Sequence, residues 1–198
     1  MHLDISSLPT RDIYHWMTRL INPRPIAWVS TLSREGIANL APYSFFNGVG
    51  AKPPTLVFCP ANDQRGEPKD TLVNIRQRGE FVVNVVTRVF AEQMKLTAAE
   101  LDSSVDEFVF ASVDKTESNH VQVPRVATAL AAFECELMQV ISLGAGPSAA
   151  NLVIGRLVGL HVSDELFDQS GQFDSSRLDT IGRMGDSDYA ATETRFSL

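Results

Sequence analysis

Five stretches of this chain, "PIAWVSTL", "TLVFCP", "EFVVNVV", "AAFECELMQVISL" and "NLVIGRLVGLHVS", are β-branched or alternating runs bounded by Gly, Pro, Asn or Ser. Such runs read as strands, and the last two flank "GAGPSAA", which has the residues of a hairpin loop. Helical spacing is confined to three places. "TRDIYHWMTRLI" sets Ile13, Trp16, Met17 and Leu20 on one face behind the possible N-cap Thr10. "KDTLVNIRQRG" closes on Gly79 at the C′ position, and "VFAEQMKLTAAEL" follows the third strand. Strands that outnumber helices without regular βαβ alternation predict a mainly β, α+β fold, an antiparallel barrel with helices packed on its outside. The irregular "PYSFFNGVGAKPP" is then expected as a loop at the barrel rim.

Composition bounds what the barrel can do. With 198 residues, 44% hydrophobic and 21% charged, the chain can bury one sizeable core. No repeat or linker divides it, so a single domain over 1–198 is expected. A net charge of -7 lacks the basic surface that nucleic acid or an anionic membrane requires, which leaves a small ligand. The opening "MHLDISSLPTRD" has no basic region followed by an apolar run, and nothing reaches the length of a membrane span, so a cytoplasmic protein is expected. Cys59 and Cys135 stand far apart, outside any CxxC and with no His at ligand spacing. Both read as buried, reduced core residues, and no metal site is expected.

The common catalytic templates are missing: there is no GxGxxG after a strand, no GxxxxGK[ST], no HExxH and no GxSxG. What remains is the helix that begins "KDT". Lys69 supplies charge, the backbone N–H groups of Asp70 and Thr71 point out of the helix start, and the Thr71 hydroxyl is a further donor, a set suited to a phosphate. Three such residues also describe an ordinary capped surface helix with an exposed Lys.

"NPRPIAWVST", "GIANLAPYSFFNGV", "PPTLVFCP", "KDTLVNI", "EFVVNVV", "GRLVGLHVSDEL" and "IGRMGDSDYA" follow in the order and spacing of the flavin reductase-like, FMN-binding split-barrel family, and the chain resembles it from about residue 13 onward. The resemblance implies a six-stranded split β-barrel of antiparallel Greek-key type, FMN as cofactor, and a homodimer with the flavin near the subunit interface. It implies that Asn22, Trp28, Val29, Ser30 and Thr31 lie along the ribityl chain, phosphate and ring edge, with Ser30 and Thr31 offering hydroxyls; Trp28 reads equally well as a core aromatic. Ser44, Phe45, Phe46 and Asn47 match the loop along the isoalloxazine rim, where backbone N–H groups stabilise the reduced ring. Lys69, Asp70 and Thr71 then become the phosphate site.

Arg24 is a further candidate phosphate ligand, although Pro23 and Pro25 beside it also suit an extended strand entry. Arg183 occupies the place of a family Arg expected near the flavin or its nicotinamide partner. Members often read Arg-x-Gly-Gly there, whereas this chain has Asp186 at the second Gly, and a carboxylate at that point disfavours the extra phosphate of NADPH relative to NADH. His161, on an alternating strand, points either to the ligand or to the opposite face; a lone strand His is more often structural, and it is left out of the catalytic residues.

The resemblance implies no side-chain nucleophile or metal, so no catalytic residue is assigned. Hydride passes from NADH or NADPH to FMN and onward to an acceptor or partner oxygenase. An FMN-binding electron-carrier module, or a flavin-dependent oxidase or oxygenase acting on a small organic substrate, is the alternative. "LDSSVDEF" and "TESNHVQVPRV" are expected to form the lid or insertion that sets substrate choice.

Overall fold

The computed structural model describes residues 2–194 together with 196 and 197, so the single-domain expectation for 1–198 includes Met1, Arg195 and Leu198, which lie outside the described residues. The chain runs α1 (Thr10–Leu20), β1 (Ala27–Leu32), β2 (Ala38–Tyr43), β3 (Phe46–Ala51), β4 (Pro54–Phe58), α2 (Asp70–Arg78), β5 (Glu80–Val85), α3 (Ala91–Leu96) and α4 (Glu107–Phe110). The short strands β6 (Lys115–Thr116) and β7 (Arg125–Val126) precede the long hairpin β8 (Ala131–Ser142) and β9 (Asn151–Val162). A small hairpin of β10 (Ile181–Arg183) and β11 (Tyr189–Ala191) ends the fold.

Among the described residues, seven strands make one sheet in the order β2-β1-β5-β8-β9-β4-β3, all neighbours antiparallel. Its two edge strands, β2 and β3, are consecutive in the chain, with only Ser44 and Phe45 between them. So short a connection spans at most about 11 Å. The two edges of the sheet therefore meet at this corner, and since β2 and β3 are not paired with each other, the sheet is a barrel left open along one seam.

The main departure from the sequence reading lies at that seam. "PYSFFNGVGAKPP" is not an irregular loop: its first residues end β2 and its middle forms β3, which brings the sheet to seven strands where six were expected. Pro42, Gly48 and Gly50 hide these strands from a pattern search. An edge strand accepts them because one side makes no ladder bonds, and the register slips between Gly48 and Gly50.

The helices are mostly where their spacing puts them. Gly79 ends α2 with φ 73°, its N–H donating to the Ile75 carbonyl at 2.8 Å. The third helix is trimmed to α3 behind a 3-10 turn at Arg88–Phe90. Thr10 is the first residue of α1 rather than its N-cap, a position held by Pro9. The apolar face of α1 is not covered by the chain's own core: Trp16, Met17 and Leu20 are exposed, and only Thr18 is buried.

Burial on both faces of β1 explains the rest of the packing. Ala27 and Val29 enter the barrel with Phe58, Phe81 and Cys135, where Leu72 and Ile75 of α2 join them. Trp28 and Leu40 face the other way, under Met94 of α3 and Phe108 of α4. On β9, Gly155 makes room for Phe81, whose Cζ would stand 2.3 Å from an added Cβ. Cys135 is buried, but Cys59 is only half-buried, because it follows β4 out of the barrel at the Phe45 corner. Among the described residues no helix is long and apolar enough to cross a membrane.

Candidate functional site

The start of α2, the end of β2 and the loop leading to α4 enclose a cleft of about 360 Å³. Lys69, Asp70 and Thr71 line it together with Asn39, Tyr43 and Glu107. Lys69 holds the N-cap position in extended conformation, and the first intrahelical bonds run from the Leu72 and Val73 N–H groups to its carbonyl, at 2.9 and 3.1 Å. The Asp70 and Thr71 N–H groups thus precede the hydrogen-bonded turn, at the positive end of the helix. The Lys69 Nζ stands 3.5 Å from Glu100 Oε1, leaving its charge half-exposed.

The other walls are polar and buried. Thr71, 1% exposed, accepts a hydrogen bond from Asn39 Nδ2 at 2.9 Å, and Tyr43 lines the cleft beside it. Burial pushes the Tyr43 phenol up to about 12, so it stays protonated. Glu107 is 7% exposed, and burial pushes its carboxyl up to about 7. Its Oε2 accepts from the Leu40 N–H at 3.2 Å, which acts against that shift, while the charges of Asp70 and Asp106 reinforce it. Asp70 is itself raised, by burial and by Asp102. A second cleft of about 480 Å³ lies on the far side of Asn39, Asp70 and Glu107, which line both.

A second group gathers at the β2–β3 corner. Arg24 is 4% exposed, and its guanidinium donates to the carbonyls of Thr18 (2.5 Å), Ile21 (2.7 Å) and Met184 (2.9 Å) and to Ser44 Oγ (3.3 Å). It also lies 5.8 Å from the centre of the Phe45 ring. These contacts use its donors inside the protein, so Arg24 fastens α1, the corner and the C-terminal segment and is not free for a phosphate. Its backbone bridges that of Arg183 in both directions, at 2.9 and 2.8 Å. Beside this knot, Phe46 lines an apolar cleft of about 350 Å³ with Pro23, Ile26, Val83, Val86 and Ile181. Tyr43 lines the first cleft and Phe46 the apolar one, so about 11 Å of chain at most joins the two.

The "WVST" side chains stand behind the clefts rather than on them. Trp28 Nε1 donates to Thr97 Oγ1 at 2.9 Å, Ser30 Oγ to the Pro124 carbonyl at 2.6 Å, and Thr31 Oγ1 accepts from Asn74 Nδ2 at 3.1 Å. All three, with Val29, are fully buried, so the hydroxyls expected to meet a ligand hold Pro124 and α2 in place. Asn22 is exposed and bonded to the Arg19 carbonyl, and Asn47 is exposed on β3. The Arg183 guanidinium lies 4.5 Å from the Tyr189 ring centre and donates to the Asp186 carbonyl.

Asp186 adopts φ 56°, the left-handed region that a Gly occupies without strain. Its carboxylate is held by Arg19 Nε and Nη2 at 3.1 and 3.0 Å, which neutralises it and removes the electrostatic ground for preferring NADH. His161 pairs with Ala132 and lines none of the three clefts; burial and Arg125 lower its pKa. Residue patterns did not single out Asn39, Tyr43 or Glu107. Glu107 sits in the acidic "LDSSVDEF" stretch, whose charges look solvated, and only tertiary packing buries it.

The family model of the flavin reductase like domain matches residues 17–181 of this chain. Nitrilotriacetate monooxygenase component B from Bacillus cereus is 34% identical with a TM-score of 0.92, the match covering 100% of this chain and 98% of that one. The 2-nitrobenzoate 2-nitroreductase NbaA of Pseudomonas fluorescens is also 34% identical, with a TM-score of 0.89 over 100% of this chain and 95% of the other. A split barrel domain protein from Shewanella frigidimarina, 24% identical, shares the fold at a TM-score of 0.83, covering 100% and 98% of the two chains.

Proposed function

The chain belongs to the flavin reductase-like domain family, and from that premise we propose that it binds FMN and works as an NAD(P)H-dependent flavin reductase whose electrons pass to an acceptor such as a partner oxygenase. The observation that carries this reading is the first cleft, where Lys69 and the unpaired start of α2 face a polar pocket. The donor set fits a phosphate: a half-exposed ammonium and two N–H groups ahead of the first helical turn. Bound flavin supplies a ring that accepts hydride from the nicotinamide and passes the electrons on. The protein's own part is to hold the phosphate at Lys69–Thr71 and present the Ser44–Asn47 corner to the ring, with Arg24 keeping that corner rigid. Similarity over the whole chain to a monooxygenase component B supports the oxygenase as acceptor.

We read the working molecule as a cytoplasmic homodimer of single-domain chains. Exposed Trp16, Met17 and Leu20 on α1 and the open edges of β2 and β3 support a self-association surface. Free Cys59 and Cys135 suit a reducing compartment.

The apolar cleft beside Phe46 favours one second reading, direct reduction of a small aromatic substrate, which the likeness to a nitroreductase supports. Steady-state oxidation of NADH and NADPH separates the readings. Turnover that rises with added FMN alone supports the flavin reductase. Turnover that needs a nitroarene supports the second reading. Flavin binding without any turnover contradicts both and leaves an electron-carrier module.

A further inference from the structure

Glu107 belongs to an acidic stretch and opens α4, yet it is 7% exposed and lines both polar clefts beside Asp70. The charges around it do not balance. On the first cleft, Lys69 is opposed by Glu100 at 3.5 Å and Arg65 by Asp63 at 3.0 Å. Asp106, next to Glu107 on its own element, is paired with Lys115. The second cleft adds Arg34 and Glu35, one charge of each sign, and β2 contributes only Tyr43, which is neutral. Asp70, Asp102 and Glu107 are left without a basic partner at ion-pair distance among the described residues.

A dianion entering the first cleft would therefore meet an uncompensated carboxylate on its wall. A single proton on Glu107 removes that repulsion at little cost, since the buried group makes one bond from another element, the Leu40 N–H, and a neutral carboxyl can keep it. We propose that Glu107 takes up a proton when a phosphate-bearing ligand enters the cleft at the start of α2, so that binding there is coupled to pH. This rests on reading the cleft as the FMN phosphate site. Because burial and Asp70 already set the carboxyl near neutrality, the exchange falls in a range where it alters affinity.

The test is FMN binding by the intact protein, followed by calorimetry at pH 7.5 in two buffers of different ionisation enthalpy and by fluorescence titration from pH 7 to 8.5. Across that range a phosphate monoester is already largely dianionic, its second pKa being about 6. Net proton uptake, with a Kd that rises about tenfold over the series, is expected. Glu107→Gln should bind with little dependence on pH, and Asp70→Asn, which removes the neighbouring charge, should move the midpoint of the dependence to lower pH. Binding without proton uptake, an identical pH dependence in Glu107→Gln, or an unmoved midpoint in Asp70→Asn overturns the proposal while leaving the flavin reading intact. Failure to bind FMN at any pH overturns both.

Discussion

At Arg24 a full charge is held almost wholly inside the protein by three backbone carbonyls and one hydroxyl. Such an arrangement fixes position, because removing the guanidinium strands several acceptors at once. Arg24→Met should lower stability by about 2–4 kcal/mol, read as a fall in thermal midpoint. In sequence Arg24 is an isolated cation between two prolines, which suits phosphate binding; the Met184 carbonyl that claims one of its donors lies 160 positions away. The same holds at Ser30 and Thr31, where residue type gives a hydroxyl but not the direction it faces. Gly155 is a second position where contact decides. Gly155→Ala would drive a methyl into Phe81, and a loss of about 1–3 kcal/mol in denaturant unfolding is expected.

Among the elements, α2 was the most legible, because a left-handed Gly79 and a Lys-Asp-Thr start mark both its ends. Strand β3 was the least legible, since its glycines and its edge position defeat alternation. The short α4 lay between: its acidic surroundings were visible, but the burial of Glu107 depends on β2 packing against it. That burial has a consequence for stability. A carboxyl raised to about 7 in the folded chain is more protonated than its unfolded counterpart between about pH 4.5 and 7. Stability from this group is therefore fully present below that window and is lost as pH rises through it. Glu107→Gln should abolish that loss, so that the variant gains about 1–3 kcal/mol on the parent between pH 4.5 and pH 8, as measured by chemical unfolding at each pH.

For the molecule as a whole, the mainly β architecture followed from strand runs and turn residues, whereas closure at the Ser44–Phe45 corner depends on which strands pair, which local pattern does not encode. The apolar face that announced α1 is left outside the chain's own core, and the proposed dimer would cover it with a second copy. Leu20→Glu together with Met17→Glu should therefore convert a dimer to a monomer in sedimentation; a wild-type chain that sediments as a monomer removes the dimer from this account. The central claim, a flavin phosphate at the start of α2, is tested most directly by equilibrium dialysis of FMN against the protein and its Lys69→Ala variant at pH 7. Saturable binding of one flavin per chain, weakened about tenfold in Lys69→Ala, is the expected result. Absence of saturable binding, or equal affinity in the two proteins, would contradict it.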